Sequence, residues 1–281
     1  MRSLGDQLDQ DHNSMGPGTD LIISLLAIFL IVLGILKIDY NRLEDKFSKL
    51  IADHQQLKNE NQDLLAFMNE QDSLVKSYQR FRQEFIEKQI LLNQIAKSQS
   101  KIIEAVSSQF FVNPQVINKD SSEFKISALN VKGDITIKNM VTSQRIYFGS
   151  NILFEKNEST LKSQGQNVLS KVGEGLKHRL SKVSEIQILG HADTFGDEDF
   201  NLDLAGDRAN AVYKYFQHNV GINPLENILS ATSYGEYMPV TRSYDDKYFS
   251  EELLIKANTT SNRAKNRRIE IVLKFRESSD L

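Results

Sequence analysis

The segment LGHADTFGDEDFNLDLAGDRA, residues 189–209, places one acidic and one basic residue on either side of a short loop. Asp193 precedes Arg208 by fifteen positions, with Gly196 and Asn201 between them. A catalytic acid would need a second carboxylate, or a histidine beside a nucleophile. A metal would need several ligands of one kind. A carboxylate with a guanidinium instead suits a zwitterionic ligand that carries an ammonium and a carboxylate on one small group.

The loop between the two charges could also have a purely structural role. Asn201 and Arg208 are seven positions apart, so they share one face of a helix predicted over residues 202–218. Gly196 allows the loop to fold back tightly, which would bring Asp193 and Arg208 to one shallow pocket. The alternative is an Asp193–Arg208 salt bridge that closes the loop, with Asn201 as the N-cap of the helix.

The composition excludes several classes of function. The 281 residues carry a formal net charge of −3, which argues against a general nucleic-acid binder. The absence of cysteine excludes disulfides, thiolate zinc sites and a cysteine nucleophile. The five histidines have no metal-ligand spacing. No metal and no cofactor is therefore predicted.

One segment is apolar enough to enter a membrane. LIISLLAIFLIVLGIL, residues 21–36, has no charged residue, and with residues 15–20 it is long enough to cross a bilayer as a helix. The preceding tail is not basic and no small-residue cleavage site follows. We therefore predict an uncleaved transmembrane helix over residues 15–36, preceded by a cytoplasmic tail over residues 1–14. The basic residues contradict this orientation, because Arg2 precedes the span and four basic residues follow it: Lys37, Arg42, Lys46 and Lys49.

A long helical pattern without proline or glycine follows over residues 37–113. Large or apolar residues step by four and three along it: Leu36, Tyr40, Leu43, Phe47, Leu50, His54, Leu57, Asn61, Leu64 and Met68. This heptad seam predicts a parallel coiled-coil homodimer over residues 37–112, a spacer of about 100 Å. The polar seam residues His54 and Asn61 would fix its register. The alternative is one amphipathic helix packed on a globular body.

The remaining sequence predicts one α+β domain. Residues 113–144 read as a connecting β-hairpin region with a turn at residues 132–134, and residues 276–281 as a tail. Within residues 145–275, alternating and helical patterns give the order β-α-β-α-β-β, with helices over residues 159–180 and 202–218. RRIEIVLKF, residues 267–275, is the last strand. This order predicts a two-layer sandwich.

Four blocks of this domain resemble the OmpA-like peptidoglycan-binding domain. They are ILFEKNESTLKSQG, the segment LGHADTFGDEDFNLDLAGDRANAVYKYF, SYGEYMPV and NRRIEI, in the family's order. The resemblance implies a diaminopimelate ligand from the peptidoglycan stem peptide, with Asp193 on its ammonium and Arg208 on its carboxylate. It also implies four further residues in the pocket: Asn201, Glu155, Ala192 and Arg268. The sequence departs from the family at Ala192 (commonly Thr), at Ala205 (usually Ser) and by an insertion over residues 241–265.

Asp20 lies at the start of the predicted span, with Ser24 one turn later. A carboxylate in a membrane helix is costly and indicates a function, although an interfacial Asp could also cap the helix. GPGTDLIISLLAIFL resembles the single span of the MotB, TolR and ExbD group, in which an Asp near the cytoplasmic end carries the ion. The resemblance implies a MotA/ExbB-like multi-span ring partner and a proton or sodium current. It assigns Asp20 the ion and Ser24 a supporting role.

The combined plan resembles a MotB-like stator subunit, and also the B subunit of a Zorya-type anti-phage system. It implies a non-enzymatic protein of the bacterial inner membrane, with a cytoplasmic N-terminus and a periplasmic C-terminal domain. A flagellar stator, a passive tether between inner membrane and cell wall, and a wall enzyme using Glu155 and Asp193 are the alternatives. The long coiled coil, and a span that lacks the pattern typical of flagellar subunits, favour a non-flagellar motor.

Overall fold

The computed structural model describes residues 17–118, 122–127 and 133–276. The predicted tail at 1–14, all of the predicted tail at 276–281 except Arg276, the first two residues of the predicted span and the turn residue Lys132 lie outside the described residues. The chain divides into two compact units, Met1–Phe81 and Arg82–Leu281.

The described residues of the first unit, 17–81, all belong to helix α1, Pro17–Gln109, whose remaining residues belong to the second unit. Within the described part of the chain, α1 holds the single stretch that is long and apolar enough to cross a membrane. Its apolar side chains are exposed in the isolated chain, and so are those of the heptad seam, such as Leu50 at 64%. A helix with an uncovered apolar stripe requires a partner or a lipid phase. The coiled-coil dimer remains a prediction.

The second unit is built on a seven-stranded mixed sheet. Its strands are β1 Gln115–Asn118, β2 Glu123–Ile126, β3 Ile135–Asn139, β4 Ser143–Gly149, β5 Val183–His191, β6 Ile228–Ser233 and β7 Arg268–Phe275. Their spatial order is β1-β2-β3-β4-β7-β5-β6. Only the β5–β6 pair is parallel, and the other described pairs are antiparallel. The predicted hairpin is the β2–β3 pair, and the α+β class is confirmed.

Helices cover one face of this sheet. They include α2 Ser150–Leu153, α3 Ser163–Lys177 and α4 Glu198–Tyr215, which continues as one π-helical turn, Phe216–Val220. Alternate strand residues point into the shared core, as in Ile146 and Phe148 of β4 and Ile271 and Leu273 of β7. The result is the predicted two-layer sandwich.

The end of α1 belongs to this core. Ile95, Ile102 and Val106 are buried in the same hydrophobic cluster as the sheet residues. Gln99 Nε2 donates to the main-chain oxygens of Met140 and Ser143, at 2.8 and 3.0 Å. The core therefore continues across the boundaries predicted at residues 112 and 144. For this last part of α1, the helix packs on the globular body, as in the alternative interpretation.

The helix bounds differ from the sequence prediction for local reasons. Helix α3 begins at Ser163 rather than at 159, because Phe154 and Leu161 form an antiparallel bridge that keeps the preceding segment extended. Helix α4 begins at Glu198, and Asp197 caps it by accepting from Phe200 N–H at 3.0 Å. The alternative N-cap assignment of Asn201 is therefore wrong. The inserted residues 241–265 contain α5, Glu251–Ala257, and most of α6, Thr260–Asn266.

Candidate ligand site at the end of strand β5

The site forms where β5 ends against helix α4. A Cβ atom on Gly190 would lie 1.9 Å from Ala205 O, so only glycine permits this close approach of strand and helix. Ala192 N–H donates to Gly235 O at 2.7 Å and fixes the chain as it leaves the strand. The next residue, Asp193, is therefore placed beside α4 with only 4% of its surface exposed.

Asp193 pairs with Arg267 rather than with Arg208. Arg267 Nη1 donates to Asp193 Oδ2. The other carboxylate oxygen, Oδ1, accepts from Phe195 N–H at 3.4 Å. The structural alternative of an Asp193–Arg208 salt bridge is therefore wrong. Arg267 was not among the residues predicted for the site.

Arg208 lies on α4, is 5% exposed, and is held by main-chain oxygens. Its Nε donates to Glu158 O at 2.8 Å and its Nη2 to Glu155 O at 3.2 Å. Its guanidinium lies 5.2 Å from the ring centroid of Phe154. Burial, and then the positive charge of Arg267, lower the pKa of Arg208. The site thus combines one buried aspartate with two arginines.

Asn201 shapes the loop between these charges. It belongs to α4 and is buried. Its Nδ2 donates to Asp193 O at 3.0 Å and to Glu236 Oε2 at 3.0 Å. Nδ2 also lies 3.4 Å from Phe195 O. The side chain therefore ties the start of the loop to α4 and to the segment that follows β6.

Glu155 and Ala192 contribute mainly through the backbone. Glu155 O accepts from Arg208, whereas its carboxylate is 65% exposed and lies 3.5 Å from Lys162 Nζ. Ala192 positions Asp193 through its hydrogen bond to Gly235. The Glu155 carboxylate is paired with Lys162, and the methyl group of Ala192 carries no charge.

The structure does not bring Arg268 together with Asp193. The Nη2 and Nε atoms of Arg268 lie 2.6 and 2.7 Å from Glu270 Oε1, and its Nη1 donates to Met238 O at 3.1 Å. Successive strand side chains alternate between faces, and Ile269 faces the helices, so Arg268 and Glu270 share the other face. The resemblance implied Arg268 as a pocket residue, but the residue that contacts Asp193 in the structure is Arg267.

Arg268 is part of a buried charged cluster that was not predicted from the sequence. Glu270 Oε2 accepts from Arg145 Nη1 at 2.7 Å, and Oε1 lies 3.3 Å from His191 Nε2. Burial opposes the charge of Glu270, but the guanidinium groups of Arg268 and Arg145 outweigh it and lower its pKa. Burial, and then Arg268, lower the pKa of His191 to about 3. His191 is therefore neutral at pH 7, and its contact with Glu270 is not an ion pair.

The inserted segment borders the candidate site. Asn258, at the end of α5, accepts from Thr194 N–H at 3.3 Å and from Asn266 Nδ2 at 2.8 Å. The guanidinium of Arg263 lies 5.6 Å from the ring centroid of Phe195. The insertion therefore supports the loop that follows Asp193. Over the described ranges, no three histidine, aspartate or glutamate side chains are grouped to hold a metal ion.

Part of the second unit resembles a known family in sequence. Residues 153–251 match the OmpA family model, and this segment of the chain is OmpA-like. Outer membrane protein A of Klebsiella aerogenes is 32% identical over 115 residues, which are 41% of this chain and 32% of that protein. Outer membrane protein A of Shimwellia blattae is 33% identical over 134 residues, 48% of this chain and 52% of that protein.

The chain spans about a third to a half of the length of the curated relatives it matches. Two solved structures are also similar. A putative MotB-like protein from Desulfovibrio vulgaris has 23% identity and a TM-score of 0.46, covering 68% of this chain and 99% of that one. The periplasmic domain of Helicobacter pylori MotB has 21% identity and a TM-score of 0.42, covering 57% and 90%.

Proposed function

We propose that the C-terminal unit binds peptidoglycan through the diaminopimelate residue of the stem peptide. The observation that carries this proposal is that Arg267 contacts buried Asp193 after β5 and also acts electrostatically on buried Arg208 of α4, within a segment that matches the OmpA family model. Diaminopimelate presents an ammonium and a carboxylate on one carbon atom. A carboxylate and a guanidinium in one site are the matching groups.

Each charged group of the ligand has an assigned partner. The ammonium is placed on the carboxylate of Asp193, and the carboxylate on Arg208. Two nitrogens of Arg208 are committed to main-chain oxygens, while its Nη1 has no acceptor among the residues that the structure describes. Nη1 is therefore the atom assigned to the ligand. Asn201 supports the site by fixing the main chain at Asp193.

We propose a second function for the N-terminal segment, as the ion-carrying part of a MotB-like motor subunit. Asp20 lies in the first turn of α1, at the start of the stretch that is apolar enough to span a membrane. A carboxylate in a membrane span is energetically costly, and such residues usually have a function such as ion transfer. Ser24, one turn further, supports it. In this proposal α1 forms a homodimer through the exposed seam, and a MotA/ExbB-like ring surrounds the two spans.

The two proposed functions combine into one mechanism. Protons or sodium ions neutralise Asp20 on alternate copies, and each neutralisation lets the ring step around the pair. The peptidoglycan site holds the pair against the wall, so that the rotation of the ring performs work. The chain is then an inner-membrane, single-pass, non-enzymatic subunit with a periplasmic C-terminal unit. A non-flagellar process such as anti-phage defence is favoured over a flagellar motor.

Co-sedimentation with isolated diaminopimelate-type sacculi tests the wall-binding proposal. The detergent-solubilised chain is compared with the Asp193→Ala/Arg208→Ala double variant and with Asp203→Ala, an exposed aspartate on α4. We expect the wild type and Asp203→Ala to pellet with the sacculi and the double variant to stay in the supernatant. Equal pelleting of all three would refute the assignment of this site.

The passive tether is the competing function, and Asp20 separates it from the motor. Asp20→Asn removes the ionisable group but not the site at Asp193. The motor proposal expects loss of the cellular function with wall binding intact, and partial retention in Asp20→Glu. Full function of Asp20→Asn would identify a tether.

A further inference from the structure

Arg267 is bound to the Asp193 carboxylate, which the ligand's ammonium would need. Its guanidinium donates to Asp193 Oδ2, the carboxylate that the proposed function assigns to the ligand's ammonium. The ammonium can reach this oxygen only if Arg267 gives it up. The unliganded site is therefore closed by an ion pair within the chain.

Arg267 can leave, whereas the other charges of the site cannot. The side chain of Arg267 is 43% exposed, and that of Asp193 is 5% exposed. Arg208 is held by two main-chain oxygens and is itself buried. Leaving Asp193 buried without a cation would be strongly unfavourable. Exchange of one cation for another at Asp193 is consequently the reaction that this geometry permits.

The charge balance decides which cation can complete the exchange. Asp193, Arg208 and Arg267 together carry a net charge of +1 in the unliganded site. A simple amine would raise the net charge from +1 to +2 and leave Arg267 without an anion. A ligand with both an ammonium and a carboxylate keeps the net charge at +1. It also offers its carboxylate to both arginines.

We propose that Arg267 is a specificity-determining residue, which holds Asp193 in the unliganded site and transfers to the ligand's carboxylate when the ammonium replaces it. The inference rests on the proposed peptidoglycan function. It implies selection of a diaminopimelate residue, with both charges, over a lysine residue, which presents the ammonium alone. Arg208 also favours the diaminopimelate residue, because it binds the carboxylate. Arg267 adds a second source of selection, because it competes with the ammonium for Asp193.

The test uses two muropeptides that differ only in the third residue of the stem, meso-diaminopimelate or L-lysine. Dissociation constants are measured by calorimetry for the detergent-solubilised chain, for Arg267→Ala, and for Arg276→Ala as an exposed control. We expect Arg267→Ala to reduce the preference for the diaminopimelate peptide at least tenfold. The lysine peptide should bind this variant more tightly than the wild type, because nothing competes for Asp193. Arg276→Ala should retain the wild-type preference.

The outcomes separate the two proposals. A wild type that binds the diaminopimelate peptide, with an unchanged preference in Arg267→Ala, overturns the role of Arg267 and leaves the peptidoglycan function standing. Absence of binding to either peptide by the folded wild type overturns both. Arg267→Lys keeps the positive charge and guards against misfolding of the alanine variant. It should preserve most of the preference, and loss of the preference in this variant would count against the exchange.

Discussion

Arg267 forms an ion pair with Asp193, although 74 positions separate them in the sequence. The pair is possible because β5 and β7 are antiparallel neighbours, with His191 opposite Arg268 in the register. Asp193, two residues after His191, therefore lies close to Arg267, the residue before Arg268. The ion pair joins the end of one strand to the start of another and closes the candidate site.

Asn201→Ala should both weaken ligand binding and destabilise the second unit. The variant loses the hydrogen bonds to Asp193 O and Glu236 Oε2 and leaves buried polar groups unpaired, at a cost of about 1–3 kcal/mol. Urea unfolding and sacculus binding measure the two effects. Asn210→Ala, at an exposed position of the same helix, is the matched control. Wild-type stability of Asn201→Ala would show that these bonds do not hold the loop.

Glu270→Gln should be strongly destabilising. The carboxylate is buried between Arg145 and Arg268, and its removal leaves two largely buried guanidinium groups without a counter-charge. Breaking a buried ion pair in this way costs about 3–5 kcal/mol. Chemical denaturation followed by tyrosine fluorescence is suitable, because the chain has no tryptophan.

Glu185→Gln is the control for that experiment. Glu185 pairs with Lys274 at 3.1 Å, but the lysine side chain is 46% exposed. An exposed pair contributes only about 0–1 kcal/mol. Equal losses for Glu270→Gln and Glu185→Gln would contradict the importance of burial in the cluster around Glu270.

His191 should make the second unit less stable at acid pH. Its pKa falls from 6.5 to about 3 on folding, so the unfolded chain binds the proton more readily between these values. The contribution is complete above pH 6.5 and is lost as the pH falls toward 3, by at most about 1.4 kcal/mol per pH unit. Unfolding measured at pH 7, 6 and 5 should show a decline that is shallower in His191→Gln. Parallel declines would exclude His191 as the cause.

The exposed seam of α1 should cross-link in a homodimer. The chain has no cysteine, so single replacements report without background. Leu50→Cys lies on the seam and should form a disulfide-linked dimer under mild oxidation in membranes. Ala52→Cys, on the opposite face of the heptad, is the control and should not. Equal cross-linking at both positions would contradict a coiled coil with this seam.

The sequence predicted the elements of the second unit well because its periodicities are clear. The alternation of Ile269, Ile271 and Leu273 defined β7, and the helical spacing of Val168, Val172 and related residues defined α3. The packing of the end of α1 was predicted wrongly, because periodicity is a local property. Apolar residues at helical spacing do not say whether a second helix or a sheet covers them, and Ile102 and Val106 are covered by the sheet's core.

The candidate site was predicted in part. Asp193 and Arg208 were found because they flank one loop in a recognisable motif. Arg267 was missed because two adjacent arginines stand at the start of β7, and only the strand's alternation decides which one meets Asp193. The cluster of Arg145, His191 and Glu270 could not be read from the sequence, because its members come from three strands far apart along the chain.

Titration of a diaminopimelate-containing muropeptide into the solubilised chain measures ligand binding at Asp193, with Asp193→Ala and Asp203→Ala measured in parallel. Saturable one-to-one binding is expected for the wild type and for Asp203→Ala. Asp193→Ala, with its fold confirmed by circular dichroism, should lose at least a hundredfold in affinity, equivalent to about 2.7 kcal/mol. Unchanged affinity in Asp193→Ala would contradict the assignment of the ligand site to the end of β5.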